Sequence, residues 1–238
     1  MKRFRIVFLL AVIAIIAGAF VAGCGSDQPP AQTQTAKPSA SATPAAATGD
    51  NTDSYQTRIK FKAADGSDAL VIKRYSDHDK LEINFAGSNA VIKARSNAEN
   101  RWKYKEAADG ADEKVQIAEV KLQQDSFKLV DTDEKLLWKV RIKDGKIKVS
   151  DNEDGDNSWE IKSKSADKSE IRNQAGEEIG NVKYYNDNGK LKVKNSSNNE
   201  ILVSKDIKAS AAPGVILFDH IPLKHRMVII SELLRMGQ

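Results

Sequence analysis

From Tyr55 to Ser204, apolar and polar residues alternate in short segments bounded by Gly, Asn or Asp. Alternation over roughly four to eight residues is typical of a half-buried β-strand. Such segments lie at 58–61, 69–75, 80–85, 102–104, 115–121, 136–143, 146–150, 158–162, 179–185, 190–194 and 200–203. Asp144-Gly145 predicts a two-residue hairpin loop, and Asn188-Gly189 closes a looser one. The pattern therefore predicts an antiparallel meander of about twelve short strands.

The strands also recur as a unit. A shift of 110 residues places Phe61 on Ile171 and Leu81 on Leu191. Together with a second shift of 42 residues, it predicts three related units of four strands, near 59–94, 127–162 and 169–204. Two further strands are expected between the first and second units. Chance matching is the alternative, because period-two sequences match one another easily.

The last long apolar segment, 215–236, has a different period. If a helix covers 222–236, one stripe on it is formed by Leu223, Met227, Ile230 and Leu234. Further apolar residues flank this stripe on both sides, and a helix that is apolar nearly all round must be enclosed by protein or lipid. About fifteen residues at 1.5 Å each are too short to span a membrane comfortably. We therefore expect the helix to be buried in protein.

The strands and the helix each need a cover for their apolar surfaces. Antiparallel strands can cover one apolar face by pairing two sheets or by closing into a barrel. A barrel of about twelve strands is too wide for its own side chains to fill, and a helix of about 22 Å could occupy it. We predict a mainly β fold over 55–238, an antiparallel barrel of about twelve strands around a central C-terminal α-helix.

The N-terminus predicts export and lipid attachment. A basic start, M-K-R-F-R, precedes an apolar run over 6–22 and the residues V-A-G-C that end at Cys24. These are parts of a secretory signal, and V-A-G-C resembles the lipobox of bacterial lipoproteins, whose cysteine carries the lipid. We predict a signal peptide over 1–23 and lipidation of Cys24. The alternatives are an ordinary cleaved signal with a chance cysteine and an uncleaved anchor.

Residues 24–54 contain no aromatic and no large aliphatic side chain, which predicts a lipidated N-terminus followed by a flexible linker. Cys24 is the only cysteine in the chain, so no intramolecular disulfide can form and the core must hold the domain together. Removing Lys2, Arg3 and Arg5 from the 37 basic residues leaves 34 against 33 acidic residues. The basic balance of the whole chain therefore does not indicate nucleic-acid binding.

Two stretches carry a resemblance to a known superfamily. The sequence F-K-L-V-D-T-D-E-K-L-L-W-K-V-R-I-K-D-G-K-I-K-V at 127–149 and the closing V-I-L-F-D-H-I-P-L-K-H-R-M-V-I-I-S-E-L-L at 215–234 resemble the Tubby C-terminal-like superfamily. That group includes the LURP-one-related proteins and the phospholipid scramblases. The resemblance covers about 59–236, implies a twelve-stranded barrel around a central C-terminal helix, and suggests lipid binding.

The chain also departs from that superfamily. It has a predicted N-terminal lipid anchor, and its last helix is too short to span a membrane. The helix also carries charges at Lys224, Arg226 and Arg235. The phosphoinositide-binding residues of the tubby proteins cannot be carried over to particular positions of this chain.

Signals for catalysis or metal binding are weak. Asp219-His220 could orient a catalytic imidazole, but no G-x-S-x-G motif or metal-spaced His pair accompanies it, and polar residues at a helix start are more often caps. The acidic run 151–157 resembles a calcium loop, yet aligning Gly155 with the EF-hand glycine puts Ile161 where a bidentate Glu is needed. A solvated turn is the main interpretation, and a different calcium site stays open. We predict no enzyme activity, cofactor or metal.

The most informative polar feature is basic. Two predicted hairpins set like charges opposite each other on the exposed side, in the pairs Lys143 with Lys146, Arg141 with Lys148, and Lys183 with Lys192. Like charges across a strand pair are mildly destabilising, but they can serve anionic surfaces such as lipid headgroups. Lysines that guard sheet edges are the alternative. Together with Lys139, these six residues are the candidate lipid- or anion-binding site.

These observations predict a membrane-anchored envelope lipoprotein that acts as a non-enzymatic binding or scaffolding module, with anionic phospholipid as the candidate ligand. The alternative is an envelope structural or assembly factor that binds a protein partner. Nucleic acid is not expected, because no exposed aromatic residues interleave with the lysines. Gly25 stands where an Asp is associated with inner-membrane retention. We therefore expect the periplasmic face of the outer membrane in a two-membrane cell, and otherwise the outer face of the cell membrane.

Overall fold

The computed structural model describes residues 55–107 and 114–238. The predicted signal peptide, the lipidation site Cys24 and the linker lie outside the described residues. Within the described part, no helix has both the length and the apolarity needed to cross a membrane.

Fourteen antiparallel strands form one closed barrel, in which neighbours in sequence pair and β1 pairs with β14. The strands are β1 (Thr57–Ala63), β2 (Asp68–Arg74), β3 (Asp79–Phe85), β4 (Ser88–Ala98), β5 (Arg101–Ala107), β6 (Lys114–Gln123), β7 (Ser126–Val130), β8 (Leu136–Lys143), β9 (Lys146–Ser150), β10 (Trp159–Ser165), β11 (Lys168–Arg172), β12 (Glu178–Tyr185), β13 (Lys190–Asn195) and β14 (Glu200–Ser204). A 3-10 helix (Ala212–Leu217) and the α-helix α1 (Leu223–Arg235) follow. The predicted barrel with a C-terminal helix is confirmed.

The strand number is fourteen, where the pattern of alternation predicted about twelve. Strands β4, β7 and β11 are absent from the separate alternating segments, but the three units of four strands and the two strands between them already count fourteen. The three predicted units correspond to β1–β4, β7–β10 and β11–β14, with β5 and β6 between the first two.

Equivalent turns support the repeat. Gly66 and Gly176 are 110 residues apart and have φ of 84° and 81°. Each donates its N–H to the carbonyl three residues earlier, at 2.9 and 3.0 Å. Glu134, which lies 42 residues before Gly176, has a φ of 62° and the same type of hydrogen bond, to Asp131 at 3.3 Å. The four-strand units therefore share turn geometry as well as an apolar pattern.

Helix α1 lies at the centre of the barrel. Seven consecutive residues, Met227 to Leu233, are buried, and consecutive residues of a helix point to all sides. Every one of the fourteen strands contributes a side chain to the same hydrophobic core as α1. Burying its five large apolar side chains in this stretch contributes on the order of 10 kcal/mol. The buried residues of this core all lie within 59–233, inside the predicted domain 55–238.

The 3-10 helix packs closely against the inner wall. A Cβ atom at Gly180 of β12 would overlap the carbonyl of Lys194 and the side chain of Leu217. A Cβ atom at Gly214 would lie 3.0 Å from three core side chains, those of Ile161, Ile171 and Val182. Glycine at these positions lets the segment before α1 lie inside the barrel.

We expect Gly180→Ala to lower the free energy of unfolding by about 1–3 kcal/mol, because the added methyl group meets fixed backbone and a packed side chain. Urea unfolding followed by circular dichroism would measure the change. Gly176→Ala, in the same hairpin, is the control. At Gly176, apart from its chain neighbours, no atom lies within 4 Å of the added Cβ, so only the positive φ disfavours alanine. The expected loss of unfolding free energy is about 1 kcal/mol. An equal or smaller loss at Gly180 would contradict the packing described.

Candidate anion-binding site

The β8–β9 hairpin has the cross-strand register that the sequence predicts. Lys143 lies opposite Lys146, and Arg141 lies opposite Lys148. These four basic side chains and Asp144 line a groove of about 290 Å³. Lys143 and Lys148 are exposed, and the other two basic residues are half-buried. The groove offers four positive charges and one negative charge to an approaching anion, and Lys148 also pairs with Glu160 at 3.6 Å.

Lys139 lies on the same strand but is held away from the groove. Its Nζ donates to Glu153, at 2.6 Å to the carbonyl oxygen and 3.0 Å to Oε2. Lys128 donates to the other carboxylate oxygen of Glu153 at 2.6 Å. The hydrogen bonds from Lys128 and then Lys139 lower the pKa of Glu153. Lys139 therefore fastens the β9–β10 connection over β8, which is a structural role.

Arg141 joins this connection to the groove. Its Nη2 donates to the carbonyl oxygen of Glu153 at 2.6 Å. The guanidinium also lies against Gly155, where an added Cβ atom would be 2.6 Å from Nη1. The arginine is therefore positioned by the acidic connection, with its charge kept at the groove.

Lys183 and Lys192 face each other as predicted but belong to another part of the wall, on β12 and β13. Lys192 forms an ion pair with Glu200 at 2.5 Å, and this hydrogen bond raises its pKa. Lys183 lies over the ring of Tyr185, 5.0 Å from its centroid. The structure thus brings four of the seven candidate residues together and separates Lys139, Lys183 and Lys192 from them.

The acidic run 151–157 forms a turn organised by Asn152. The Oδ1 atom of Asn152 accepts hydrogen bonds from the backbone N–H groups of Gly155 at 2.7 Å and Asp156 at 3.2 Å. Across 55–107 and 114–238, no group of three or more His, Cys, Asp or Glu residues is placed to hold a metal ion.

Asp219 and His220 do not form a tight pair. His220 Nε2 lies 3.8 Å from Asp219 Oδ1, which exceeds a hydrogen-bond distance, and the two side chains are 77% and 83% exposed. Their surroundings in this structure do not orient the imidazole for proton transfer.

Charge is distributed unevenly between the two ends of the barrel. We call the end at which β1 begins the base, and the other end the top. Strands β1 to β13 each carry at least one lysine or arginine on their outer face, at the middle of the strand or in the half that is nearer the base. The described connections at the top contain nine acidic residues and one basic residue, Lys135, and those at the base contain six acidic residues and no lysine or arginine, so the basic charge near the base lies on the strands. The β8–β9 groove lies at the base, since a closed antiparallel meander places every even-to-odd connection there.

The sequence reasoning missed a layer of charged side chains inside the barrel. Asp79 accepts hydrogen bonds from Arg74 at 3.2 Å and from Arg235 of α1 at 2.9 Å. The hydroxyl of Tyr104 donates a short hydrogen bond to Glu232 of α1. In the sequence, the signal for this layer is the presence of charged residues in the otherwise apolar helix α1. Those charges entered the prediction only as evidence against a membrane-spanning helix.

The layer holds the C-terminal half of α1 in place. Arg74 also donates to the backbone carbonyl of Ser231 at 3.1 Å, and the Arg235 guanidinium stacks 3.5 Å above the ring of Trp102. Burial raises the pKa of Glu232 and, likewise, that of Asp79. Burial and then the Glu232 carboxylate raise the pKa of Tyr104 well above its ordinary value, so its proton stays on the phenol.

No family model, curated protein or solved structure matches the chain. The function is therefore argued from the site itself.

We expect the stability of Glu232→Gln relative to the wild type to rise with pH. Because burial raises the folded-state pKa of Glu232 above its ordinary value of 4.5, the wild type is favoured below about pH 4.5 and loses stability as pH rises through the folded-state pKa. Glutamine does not titrate and can still accept from Tyr104. The difference in unfolding free energy should grow by at most about 1.4 kcal/mol per pH unit.

Urea unfolding at several pH values from 4 to 8 would measure this difference. Glu99→Gln removes a carboxylate from the exposed β4–β5 connection and serves as the control. A difference that shrinks with rising pH would contradict the assignment.

Proposed function

We propose that this chain is an envelope lipoprotein, anchored to a membrane through Cys24, whose barrel is a non-enzymatic module for binding anionic phospholipid headgroups. The observation that carries the proposal is the β8–β9 groove, where Arg141, Lys143, Lys146 and Lys148 converge. A headgroup phosphate would accept hydrogen bonds from these side chains and balance their mutual repulsion.

The position of the groove supports the same proposal. The groove and the start of β1 are both at the base of the barrel, so the predicted linker would enter the domain at the end that carries the groove. The predicted linker of 31 residues, 24–54, would have a root-mean-square reach of roughly 30 Å. Each Lys or Arg near an anionic surface contributes about 1 kcal/mol. The base would therefore turn towards the headgroups through the groove and the basic residues of the strands near it.

We include in this proposal a kinship with the Tubby C-terminal-like superfamily. The supporting features are the stretches 127–149 and 215–234 and the closed barrel around a C-terminal helix. The fourteen strands differ from the twelve that the resemblance implies.

A protein partner is the second candidate. A groove of about 370 Å³ at the top includes half-buried Ile179, Ile201 and Leu217 beside exposed Asp219 and His220. A mixed apolar and polar surface of this kind suits a protein partner. Crosslinking from membranes, followed by capture of the chain, should yield one stoichiometric partner if the barrel is an assembly factor, and Leu217→Asp should abolish its capture.

Liposome flotation of residues 55–238 tests the lipid proposal without the anchor. At low salt we expect binding to vesicles that contain phosphatidylglycerol and none to pure phosphatidylcholine. Lys143→Gln with Lys146→Gln should weaken binding roughly tenfold to thirtyfold, from about 1 kcal/mol for each lost charge.

The matched control is Lys93→Gln with Lys105→Gln, which removes the same charge from β4 and β5. Circular dichroism would verify that each variant is folded. Equal losses for the two pairs, or no dependence on anionic lipid, would rule out the groove as the headgroup site.

A further inference from the structure

A second line of basic residues crosses the outer wall, away from the β8–β9 groove. We call it the β1–β5 row; its members are Arg58, Lys73, Lys80, Lys93 and Lys105. Each member lies directly opposite the next across a strand pair. All five side chains are exposed or half-buried. The row thus places five like charges side by side on five consecutive strands.

This arrangement is poorly neutralised by the protein. Glu82 is the carboxylate that pairs with Lys73 and Lys80, at 2.8 Å to each. Within the described residues, Arg58, Lys93 and Lys105 form no ion pair. Like charges directly opposite each other on neighbouring strands are destabilising. The row therefore keeps an excess of positive charge that folding does not require.

The neighbouring wall shows that this chain can neutralise such a row. Four basic residues, Arg101, Lys121, Lys128 and Lys139, are in the same direct register on β5 to β8. Each of them has a carboxylate partner. Arg101 forms ion pairs with Glu119 at 3.1 Å and with Glu134 at 3.5 Å. Glu134 also pairs with Lys121 at 2.9 Å. Glu153 forms ion pairs with Lys128 and Lys139. The β1–β5 row, unlike the β5–β8 row, therefore remains available to an external anion.

The shape of the row limits the kind of anion. Neighbouring strands are about 4.8 Å apart, so the five charges extend over about 19 Å. Five of the fourteen strands also cover about a third of the barrel's circumference, so the row follows a convex wall. A flat bilayer would touch only part of it. A flexible linear polymer with evenly spaced negative charges could follow all of it.

The surroundings distinguish between classes of linear polyanion. Single-stranded nucleic acid is bound by aromatic rings that interleave with the basic residues and stack on successive bases. Within the described residues, the aromatic rings beside the row form one cluster near Lys73 and Lys80, in which Tyr75 lies between Tyr55 and His78. No ring separates Lys80, Lys93 and Lys105, which are consecutive members of the row. A polymer without bases fits this surface better.

We propose that the β1–β5 row binds a linear acidic polysaccharide that carries one negative charge in each sugar unit and lies across the strands. The carboxylates or phosphodiesters of successive units pair with successive basic residues of the row. The aromatic cluster of Tyr55, Tyr75 and His78 can pack against one sugar face. This site is independent of the phospholipid proposal, since it uses different strands and a different ligand.

The test measures binding of the full chain, kept in an uncharged detergent, to polygalacturonate, with dextran as the neutral polymer. Isothermal titration calorimetry should show binding to polygalacturonate that weakens with salt, and none to dextran. Arg58→Gln, Lys93→Gln and Lys105→Gln combined should weaken binding on the order of tenfold. Thermal unfolding should be unchanged or slightly higher, because repulsion within the row is relieved.

The matched control combines Lys168→Gln, Lys205→Gln and Lys208→Gln, three exposed residues outside both the β1–β5 row and the β8–β9 groove, and should change the affinity by less than about twofold. Equal losses in both triple variants would show a response to net charge alone and would overturn the proposal. Tighter row-dependent binding of polyuridylate than of polygalacturonate would assign the row to nucleic acid and would overturn it as well. Loss of vesicle flotation in the row variant, with polygalacturonate binding intact, would assign the row to lipid instead.

Discussion

Enclosure of an apolar helix by a wide barrel is the constraint on which this structure depends. Fourteen strands surround a lumen that their own side chains cannot fill. Helix α1 supplies the missing volume, with seven consecutive buried residues that face all sides of the wall. Neither part could remain folded alone, because each would expose an apolar surface to water. The register of every strand follows from this mutual burial.

The charged layer at the C-terminal half of α1 adds specificity to that packing. Apolar contacts allow a helix to slide or rotate at small cost, whereas a buried ion pair does not. Arg235 reaches Asp79 of β3, while Glu232 accepts from Tyr104 of β5, so rotation of the helix would leave several buried charges without partners. Desolvation of these groups costs free energy, and the apolar core is large enough to offset it. The layer therefore fixes one orientation of the helix.

The outer surface is arranged by the same core. Because side chains alternate between the two faces of a strand, the register that buries the apolar residues also decides which polar residues face each other outside. Lysines at equivalent positions then form rows, and the rows differ in how the connections neutralise them. Glu134 and Glu153 reach back from connections at the top and neutralise the β5–β8 wall. The β8–β9 groove and the β1–β5 row keep their positive charge.

The sequence by itself determined the features that depend on neighbouring residues. The alternation of apolar and polar residues predicted the strands, and Asp144-Gly145 predicted the pairing of Lys143 with Lys146. The apolar C-terminal segment predicted the buried helix. A short loop sets its own register through turn geometry, so such pairs can be read along the chain. The number of strands depended on the repeat, because the separate alternating segments omit β4, β7 and β11, which the three four-strand units include.

Only the tertiary structure decided which distant groups meet. Asp79 and Arg235 are 156 residues apart, and nothing local indicates that they form a buried pair. In the same way, the chain pattern alone could not separate Lys139, which Glu153 holds, from the lysines that line the groove. The physical reason is that long-range contacts follow from closure of the barrel and the seating of the helix. They depend on the packing of the whole core and leave no periodic signal in the sequence.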